Sequence, residues 1–216
     1  MNKEIIPNII TILNMTCGLC AISLAHHMHF VSCLFIFAAC IFDFLDGFIA
    51  RKLKAQNKIG ENLDNVADII SFGVAPTFIM FYLLQNINSH YIIYCSSFFI
   101  TIAAAIRLSR FNINKQADFI GLPCPAAAIL ISSISLSDIK FANDPQYYFL
   151  AIIIISLLMI SKIKMFKIKN NLLSIIFLIV STIIVIFYKS QGLSIAVFLY
   201  IAISIVKNKY EISSSN

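Results

Sequence analysis

Charge is the first thing that this sequence has little of. Only 12% of its 216 residues are Asp, Glu, Lys or Arg, whereas 60% are hydrophobic, and the mean hydropathy is +0.90. Soluble domains carry roughly 25% charged residues, so a chain this poor in charge is not an ordinary soluble domain. The composition indicates an integral membrane protein.

The alternation of apolar and polar residues that is typical of barrel strands is also missing. Runs such as AIIIISLLMI are apolar on every side, and inside a bilayer only helices or closed barrels satisfy all backbone hydrogen bonds. The sequence therefore predicts an all-α fold, a polytopic bundle of transmembrane helices. Apolar runs that approach or reach spanning length occupy residues 8–26, 30–50, 66–85, 91–108, 122–137, 147–161, 171–188 and 191–206. These runs predict about eight spans, or about six if the short runs 122–137 and 147–161 do not cross fully.

The basic residues predict the orientation of this bundle. With the amino terminus inside, Lys140 and Lys189 are the only two of the 16 Lys and Arg residues that fall outside. Lys and Arg are enriched in cytoplasmic loops, so both termini are expected on the inner side. The net charge of +6 is spread over short loops beside apolar helices. That distribution favours anionic lipid head groups over nucleic acid as the partner.

Other absences simplify the organisation of the chain. No repeat of roughly 20–50 residues is visible, which predicts a single domain over residues 1–216. The CxxC formed by Cys17 and Cys20 has no companion pair and lies on an apolar run, so we interpret both as small hydrophobic residues. No small-residue cleavage site follows the first apolar run, which is therefore expected to remain as a helix.

Against this background, four aspartates stand out between two apolar runs. At about 100° per residue, each of two helices places its pair of aspartates on one face beside small residues. These faces are Asp43, Asp46, Gly47 and Ala50 on the first helix and Gly60, Asp64, Ala67, Asp68 and Ser71 on the second. The connection 51–60 is short and basic, which predicts antiparallel neighbours whose carboxylates converge at the cytoplasmic edge.

Four ionised carboxylates at the edge of a bilayer require compensation. Each costs about 2.5–3.5 kcal/mol on insertion scales, and together they repel one another. Arg51 supplies one positive charge, so divalent cations are expected to neutralise the cluster. Oxygen ligands favour Mg²⁺, Mn²⁺ or Ca²⁺ over zinc. The alternatives are that these residues are helix-terminal caps, or that they mark the ion path of a divalent-cation or proton transporter.

Eight of these residues form a longer pattern. Asp43, Asp46, Gly47, Ala50, Arg51, Gly60, Asp64 and Asp68 read DxxDGxxARx8GxxxDxxxD. This pattern resembles the signature of the CDP-alcohol phosphotransferase family, and every position of it is filled. Further segments resemble the membrane-embedded bacterial and archaeal branch of that family that makes phosphatidylserine. They are the opening IPNIITILNMTCGLCAI, DNVADIISFGVAP at 64–76, RLSRFN at 107–112 and GLPCPAAA at 121–128.

The resemblance implies an enzyme that transfers the phosphatidyl group of CDP-diacylglycerol to L-serine and releases CMP. It implies two divalent ions, Mg²⁺ or Mn²⁺, held by Asp43, Asp46, Asp64 and Asp68, with Asp68 also acting as general base. The residues that it assigns to the CDP pocket are Gly47, Ala50, Arg51 and Gly60, with Arg51 on phosphate. It also implies a homodimer in the inner membrane of a bacterium, with the active site facing the cytoplasm.

The residues that would bind the acceptor are less sharply marked. Arg107 and Arg110 lie at the cytoplasmic end of the fourth apolar run and are candidates for the serine carboxylate, with Asn112 nearby. The alternative role of both arginines is to anchor the helix at the membrane surface. Glycerol-3-phosphate or inositol phosphate are alternative acceptors, and their phosphate would call for a more basic pocket.

Two further groups of residues each allow two interpretations. Asn8 and Thr11 are candidates to contact the nucleotide from the first helix, or they cap that helix at the membrane surface. The segment Ser71, Phe72 and Gly73 either lines the serine pocket or forms a kink ahead of Pro76.

Overall fold

The protein is a bundle of helices in the computed structural model, which describes residues 3–87, 89–113, 120–136, 144–165 and 172–214. Side chains at 111–113, 189–190 and 207–214, and most of those at 172–179, lie outside this description. The helices are α1 (Ile5–Leu24), α2 (His29–Leu53), α3 (Lys58–Asp68), a π-helical segment (Ile69–Val74), α4 (Ala75–Asn86), α5 (Tyr91–Cys95), α6 (Phe98–Ile113), α7 (Cys124–Ser135), α8 (Pro145–Ile160) and α9 (Leu172–Ser214). Within the described residues, the only β pairing is an isolated bridge between Ile120 and Lys164.

Four helical stretches are long and apolar enough to cross a bilayer. They are Ile5–Leu24, His29–Leu53, Lys58–Asn86 and Tyr91–Arg110, and the shorter apolar helices are Cys124–Ser135, Pro145–Ile160 and Gln191–Val206. The prediction of an all-α, polytopic membrane bundle is confirmed. The number of spans and the orientation with both termini inside stay predictions.

The first two helices form an antiparallel hairpin, and the third runs parallel to the first. The α1–α2 connection takes only residues 25–28, and α1 packs along the length of α2. Lys54 ends α2 in the left-handed conformation, with φ of 52°, and α3 begins four residues later at Lys58. Because α3 reverses direction again, it starts at the same surface of the bundle as α1.

A side-chain cap defines the start of α3. The Gly60 backbone N–H donates to Oδ1 of Asn57 over 2.6 Å, and Nδ2 of Asn57 donates to Oε2 of Glu4 over 2.6 Å. Caps of this kind satisfy backbone donors that no helical carbonyl reaches. Asn57 therefore starts α3 and also connects it to the residue before α1.

The π-helical segment lies in the middle of the long helix 58–86. Ser71 and Phe72 in this segment are fully buried, Gly73 is buried, and α4 follows directly at Ala75, just before Pro76. A π turn holds an extra residue, and it often occurs where function constrains a helix. The kink predicted ahead of Pro76 corresponds in position to this segment.

The loop before α7 is tied to the end of α8. The Gly121 N–H donates to the Ile163 carbonyl over 2.9 Å, and the Leu122 N–H donates to the Leu158 carbonyl over 3.0 Å. Gly121 has φ of +74°, and a Cβ there would collide with the backbone oxygen of Met159. Glycine is required here both by the left-handed backbone and by this close approach.

The last helix, α9, is helical throughout its described length but folds back on itself. A Cβ on Gly192 would lie 2.6 Å from the backbone oxygen of Ile184, eight residues earlier. Eight residues of straight helix rise about 12 Å, so the axis must reverse sharply between these positions. The reversal falls between the predicted runs 171–188 and 191–206.

Candidate active site

The site begins with a cavity of about 530 Å³ where α1 and α3 start. Its wall combines polar side chains from the starts of both helices with small residues from the second half of α2. The lining residues are Pro7, Asn8, Thr11, Asp46, Gly47, Ala50, Ala55, Gln56, Asn57, Lys58, Gly60, Glu61 and Asp64. Pockets of 300–1,000 Å³ accommodate small ligands and cofactors, so this cavity is large enough for one.

Three of the four aspartates converge beside this cavity. One carboxylate oxygen from each of Asp43, Asp64 and Asp68 lies within 4.8 Å of the others. An oxygen of Asp64 and one of Asp68 are buried without a hydrogen-bond partner among the described residues. Buried carboxylate oxygens without donors are costly, and a hard cation between them would supply the missing interaction.

Asp46 lies on the cavity wall and is not part of this group of three. It is 5% exposed, and its Oδ2 accepts a hydrogen bond of 2.7 Å from Oγ1 of Thr11 on α1. Arg51, five residues later on α2, interacts with it electrostatically. Asp46 is therefore fixed from one side by α1 and faces the cavity with the remainder of its carboxylate.

Small residues keep the cavity open, as the pattern predicts. Gly47, Ala50 and Gly60 all line it. A Cβ on Gly60 would lie 2.9 Å from Oδ1 of Asn8 and 3.0 Å from Oδ1 of Asn57, so a larger residue would displace both amides. Arg51 is not among the lining residues, and its guanidinium lies 3.3 Å from the position of a Cβ on Gly47.

The two arginines of α6 occupy different environments. Nη1 of Arg107 donates to Sγ of Cys124 over 3.2 Å, while its Nε is buried without a partner among the described residues. The Cys124 thiol in turn interacts electrostatically with Arg107, Asp68 and Asp43. Arg107 therefore reaches from α6 to the start of α7, on the side of the bundle where Cys124 lies near the carboxylates.

Arg110 is engaged elsewhere. Its Nη1 donates to the backbone carbonyl of Ile160 over 2.8 Å, at the end of α8. Cations at this position stabilise the carbonyl end of a helix. The backbone of Asn112 belongs to α6, and its side chain lies outside the described part of the structure.

Comparison with known proteins gives a family match that covers the residues of this site. The family model described as CDP-alcohol phosphatidyltransferase matches residues 4–206. The chain belongs to this family. The match includes all four aspartates, both arginines of α6 and every residue that lines the cavity.

Individual relatives of the family cover most of the chain. It is 33% identical over 213 residues to the CDP-diacylglycerol--serine O-phosphatidyltransferase of Helicobacter pylori, covering 93% of this chain and 90% of that protein. It is 38% identical over 169 residues to the Bacillus subtilis protein of the same name, covering 77% of this chain and 92% of that protein. The archaetidylserine synthase of Methanothermobacter thermautotrophicus is 33% identical over 164 residues, covering 74% of this chain and 68% of that protein.

The donor set fits the divalent metals that the family implies. Asp43, Asp64 and Asp68 offer carboxylate oxygens from two helices, and among the described residues these three make up the grouping that could hold a metal ion. Such oxygen sites select hard cations. Asp46 lies outside this group and lines the adjoining cavity.

Sequence reasoning missed the partners that hold these residues. The hydrogen bond from Thr11 to Asp46 joins residues 35 positions apart, and that from Asn57 to Glu4 joins residues 53 apart. Helical periodicity predicts the face on which a residue lies but not the side chain it meets on another helix. The polar residues of the first apolar run were the available signal.

Proposed function

We propose that this protein transfers the phosphatidyl group of CDP-diacylglycerol to the hydroxyl of L-serine, giving phosphatidylserine and CMP. The observation that carries the proposal is the convergence of Asp43, Asp64 and Asp68 beside a cavity that is also lined by Asp46. The names of the H. pylori and B. subtilis relatives support serine as the acceptor. Membership of the family supports the cytidine diphosphate donor.

The cavity is suited to the cytidine diphosphate part of the donor. Asn8, Asn57 and Lys58 offer hydrogen bonds and one positive charge, while Gly47 and Gly60 leave the backbone accessible. Arg51, whose guanidinium lies near Gly47, would contact a phosphate from the rim. The acyl chains would extend from this end of the bundle along apolar helix surfaces such as Phe44 and Phe48, which are 67% and 47% exposed.

The reaction makes and breaks one bond at phosphorus. The serine oxygen bonds to the phosphorus that carries the diacylglycerol, and the bond from that phosphorus to the bridging oxygen breaks, so that oxygen leaves with CMP. Asp68 accepts the hydroxyl proton, a role that its position in the family pattern supports, and its Oδ1 has no hydrogen-bond partner among the described residues. Two bound Mg²⁺ or Mn²⁺ ions would neutralise the diphosphate and stabilise its leaving oxygen. Asp43, Asp46, Asp64 and Asp68 would hold them.

Serine would enter between these carboxylates and α6. Nε of Arg107 has no hydrogen-bond partner among the described residues, and Cys124, which Arg107 contacts, also interacts with Asp68 and Asp43. Arg107 is therefore the strongest candidate for the serine carboxylate. Arg110 and Asn112 remain candidates at the same end of α6, although Arg110 already donates to Ile160. The proposal includes a homodimer in the bacterial inner membrane, with this site facing the cytoplasm.

An acceptor assay on purified protein tests the proposal. Protein in detergent with CDP-diacylglycerol and Mn²⁺ or Mg²⁺ should convert radiolabelled serine into phosphatidylserine, with CMP formed in equal amount. Glycerol-3-phosphate and inositol phosphate in place of serine should give no lipid product, and chelation should stop the reaction. Incorporation of only one of those phosphates would contradict serine as the acceptor. Ion flux in vesicles without CMP release would favour the transporter interpretation.

A further inference from the structure

Asn14 of α1 is a buried polar residue that neither the family pattern nor the mechanism above uses. Its exposure is 0%, and both Oδ1 and Nδ2 lack a hydrogen-bond partner among the described residues. An amide carries two donors and an acceptor, and leaving all of them unpaired in a buried site is costly. Leu at this position would make a helix that crosses a bilayer more stable, unless the amide binds a ligand such as a cation.

Two cross-helix contacts place Asn14 at the level of the carboxylates. Thr11, three residues earlier on the same face of α1, donates to Asp46 of α2. Because α1 and α2 are antiparallel, one turn further along α1 corresponds to one turn back along α2. Asn14 is therefore level with Asp43.

The parallel neighbour gives the same level independently. The backbone carbonyl of Asn14 accepts a 3.0 Å hydrogen bond from Oγ of Ser71, and Asn8 packs on Gly60. Asp64 and Asp68 lie between Gly60 and Ser71 on the helix that runs alongside α1. Side chains in a helix lean toward its amino end, so the Asn14 amide leans from Ser71 back toward these two carboxylates.

We propose that Asn14 is a positioning residue of the divalent-cation site: when a cation is bound, Oδ1 is available to it and Nδ2 donates to a carboxylate oxygen of Asp43 or Asp68, a hydrogen bond that the structure itself does not contain. Asp68 has an oxygen that accepts no hydrogen bond, and Nδ2 of Asn14 donates none, so the two could satisfy each other. Hydrogen bonds to metal-binding carboxylates fix their orientation, and removing such a partner typically lowers metal affinity about 10–100-fold. This inference rests on the proposed function, because it takes the three carboxylates to be metal ligands.

Mn²⁺ binding by the purified full-length protein tests the inference without relying on turnover. Free Mn²⁺ is measured by its paramagnetic resonance signal during titration, with and without CDP, for the parent and for Asn14→Leu. We expect Asn14→Leu to melt at the same or a higher temperature, because it removes an unpaired polar group. We also expect it to bind Mn²⁺ about 10–100-fold more weakly and to regain activity as Mn²⁺ is raised.

A matched control is Ser32→Ala at the other end of the α1–α2 interface. Ser32 is equally buried, and its Oγ donates to the Ala21 carbonyl, so its loss should leave Mn²⁺ affinity unchanged. If Asn14→Leu does not fold, Asn14→Ser provides the same measurement with a smaller polar residue. Unaltered Mn²⁺ affinity in the folded Asn14 variant overturns the inference alone. A parent protein that binds no Mn²⁺, even with CDP, overturns the metal site of the proposed function.

Discussion

The clustered aspartates are expected to differ in what their loss removes. Asp68→Asn keeps an oxygen for a cation but cannot accept the serine proton, so turnover should fall about 10²–10⁴-fold while CDP binding is partly retained. Asp43→Asn and Asp64→Asn should weaken both metal and CDP binding, since each also removes a charge from the group of three, but they keep the proposed base Asp68, so their turnover should recover as Mn²⁺ is raised. Steady-state kinetics and Mn²⁺ titration of the three variants separate these roles. Wild-type turnover in Asp68→Asn would remove its assignment as base.

The hydrogen bond between Thr11 and Asp46 gives a second prediction at the level of one residue. Thr11→Val keeps the shape of the side chain but removes the 2.7 Å donor. A hydrogen bond to a charged group contributes about 1.5–3 kcal/mol, so the KM for CDP-diacylglycerol should rise about 10- to 150-fold while the KM for serine stays the same. Thr16→Val is the control, since the exposed Thr16 hydroxyl donates only to the Ile12 carbonyl of its own helix. Equal effects of the two substitutions would argue against a role for Thr11 at the site.

The two arginines of α6 should respond differently to the same substitution. Arg107→Gln removes the guanidinium that lies near the carboxylates, and we expect a higher KM for serine with little change in that for CDP-diacylglycerol. Arg110→Gln removes the donor to Ile160, so it should lower the melting temperature and leave the KM for serine unchanged. Kinetics with both substrates varied, together with thermal unfolding, measure this difference. A raised serine KM in Arg110→Gln alone would exchange their roles.

At the scale of elements, the close packing of α1 on the π-helical segment should be sensitive to one methyl group. A Cβ on Gly18 would lie 2.8 Å from Cα of Ser71, and backbone cannot move aside as a flexible side chain can. Overpacking costs about 1–3 kcal/mol, so Gly18→Ala should lower the melting temperature by roughly 2–10 °C. Leu19→Ala, at a neighbouring exposed position, is the control. An unchanged melting temperature in Gly18→Ala would show that the two helices can separate freely.

Much of the element structure could be predicted because apolar runs in a membrane protein must be helical. Each of the eight predicted runs contains helix in the structure. The π-helical segment and the reversal near Gly192 could not be placed, because both depend on packing between helices. The same distinction applies to the site. Periodicity predicted the face that holds Asp43, but not that Asp46 turns to Thr11.

At the scale of the whole molecule, the orientation in the membrane is testable at two turns. With the amino terminus inside, the turn at 25–28 lies outside and the turn at 54–57 lies inside. In a variant without the six native cysteines, Met28→Cys should react with a membrane-impermeant maleimide in intact spheroplasts. Lys54→Cys should react only after permeabilisation. Both side chains are exposed, so labelling reports sidedness, and the reverse pattern would place the site on the outer side.

The shared starting level of α1 and α3 has an electrostatic consequence for the cavity. Each helix carries about half a positive elementary charge at its first turn, from peptide dipoles that point the same way. Pro7 and Asn8 belong to the first turn of one helix, and Lys58 and Gly60 to that of the other. The two dipoles and Lys58 place positive charge at the mouth of the cavity, where they offset Glu4 and Glu61, while Asp46 and Asp64 add negative charge to its wall. A ligand with an anionic middle is favoured by the helix ends and requires cations beside the aspartates.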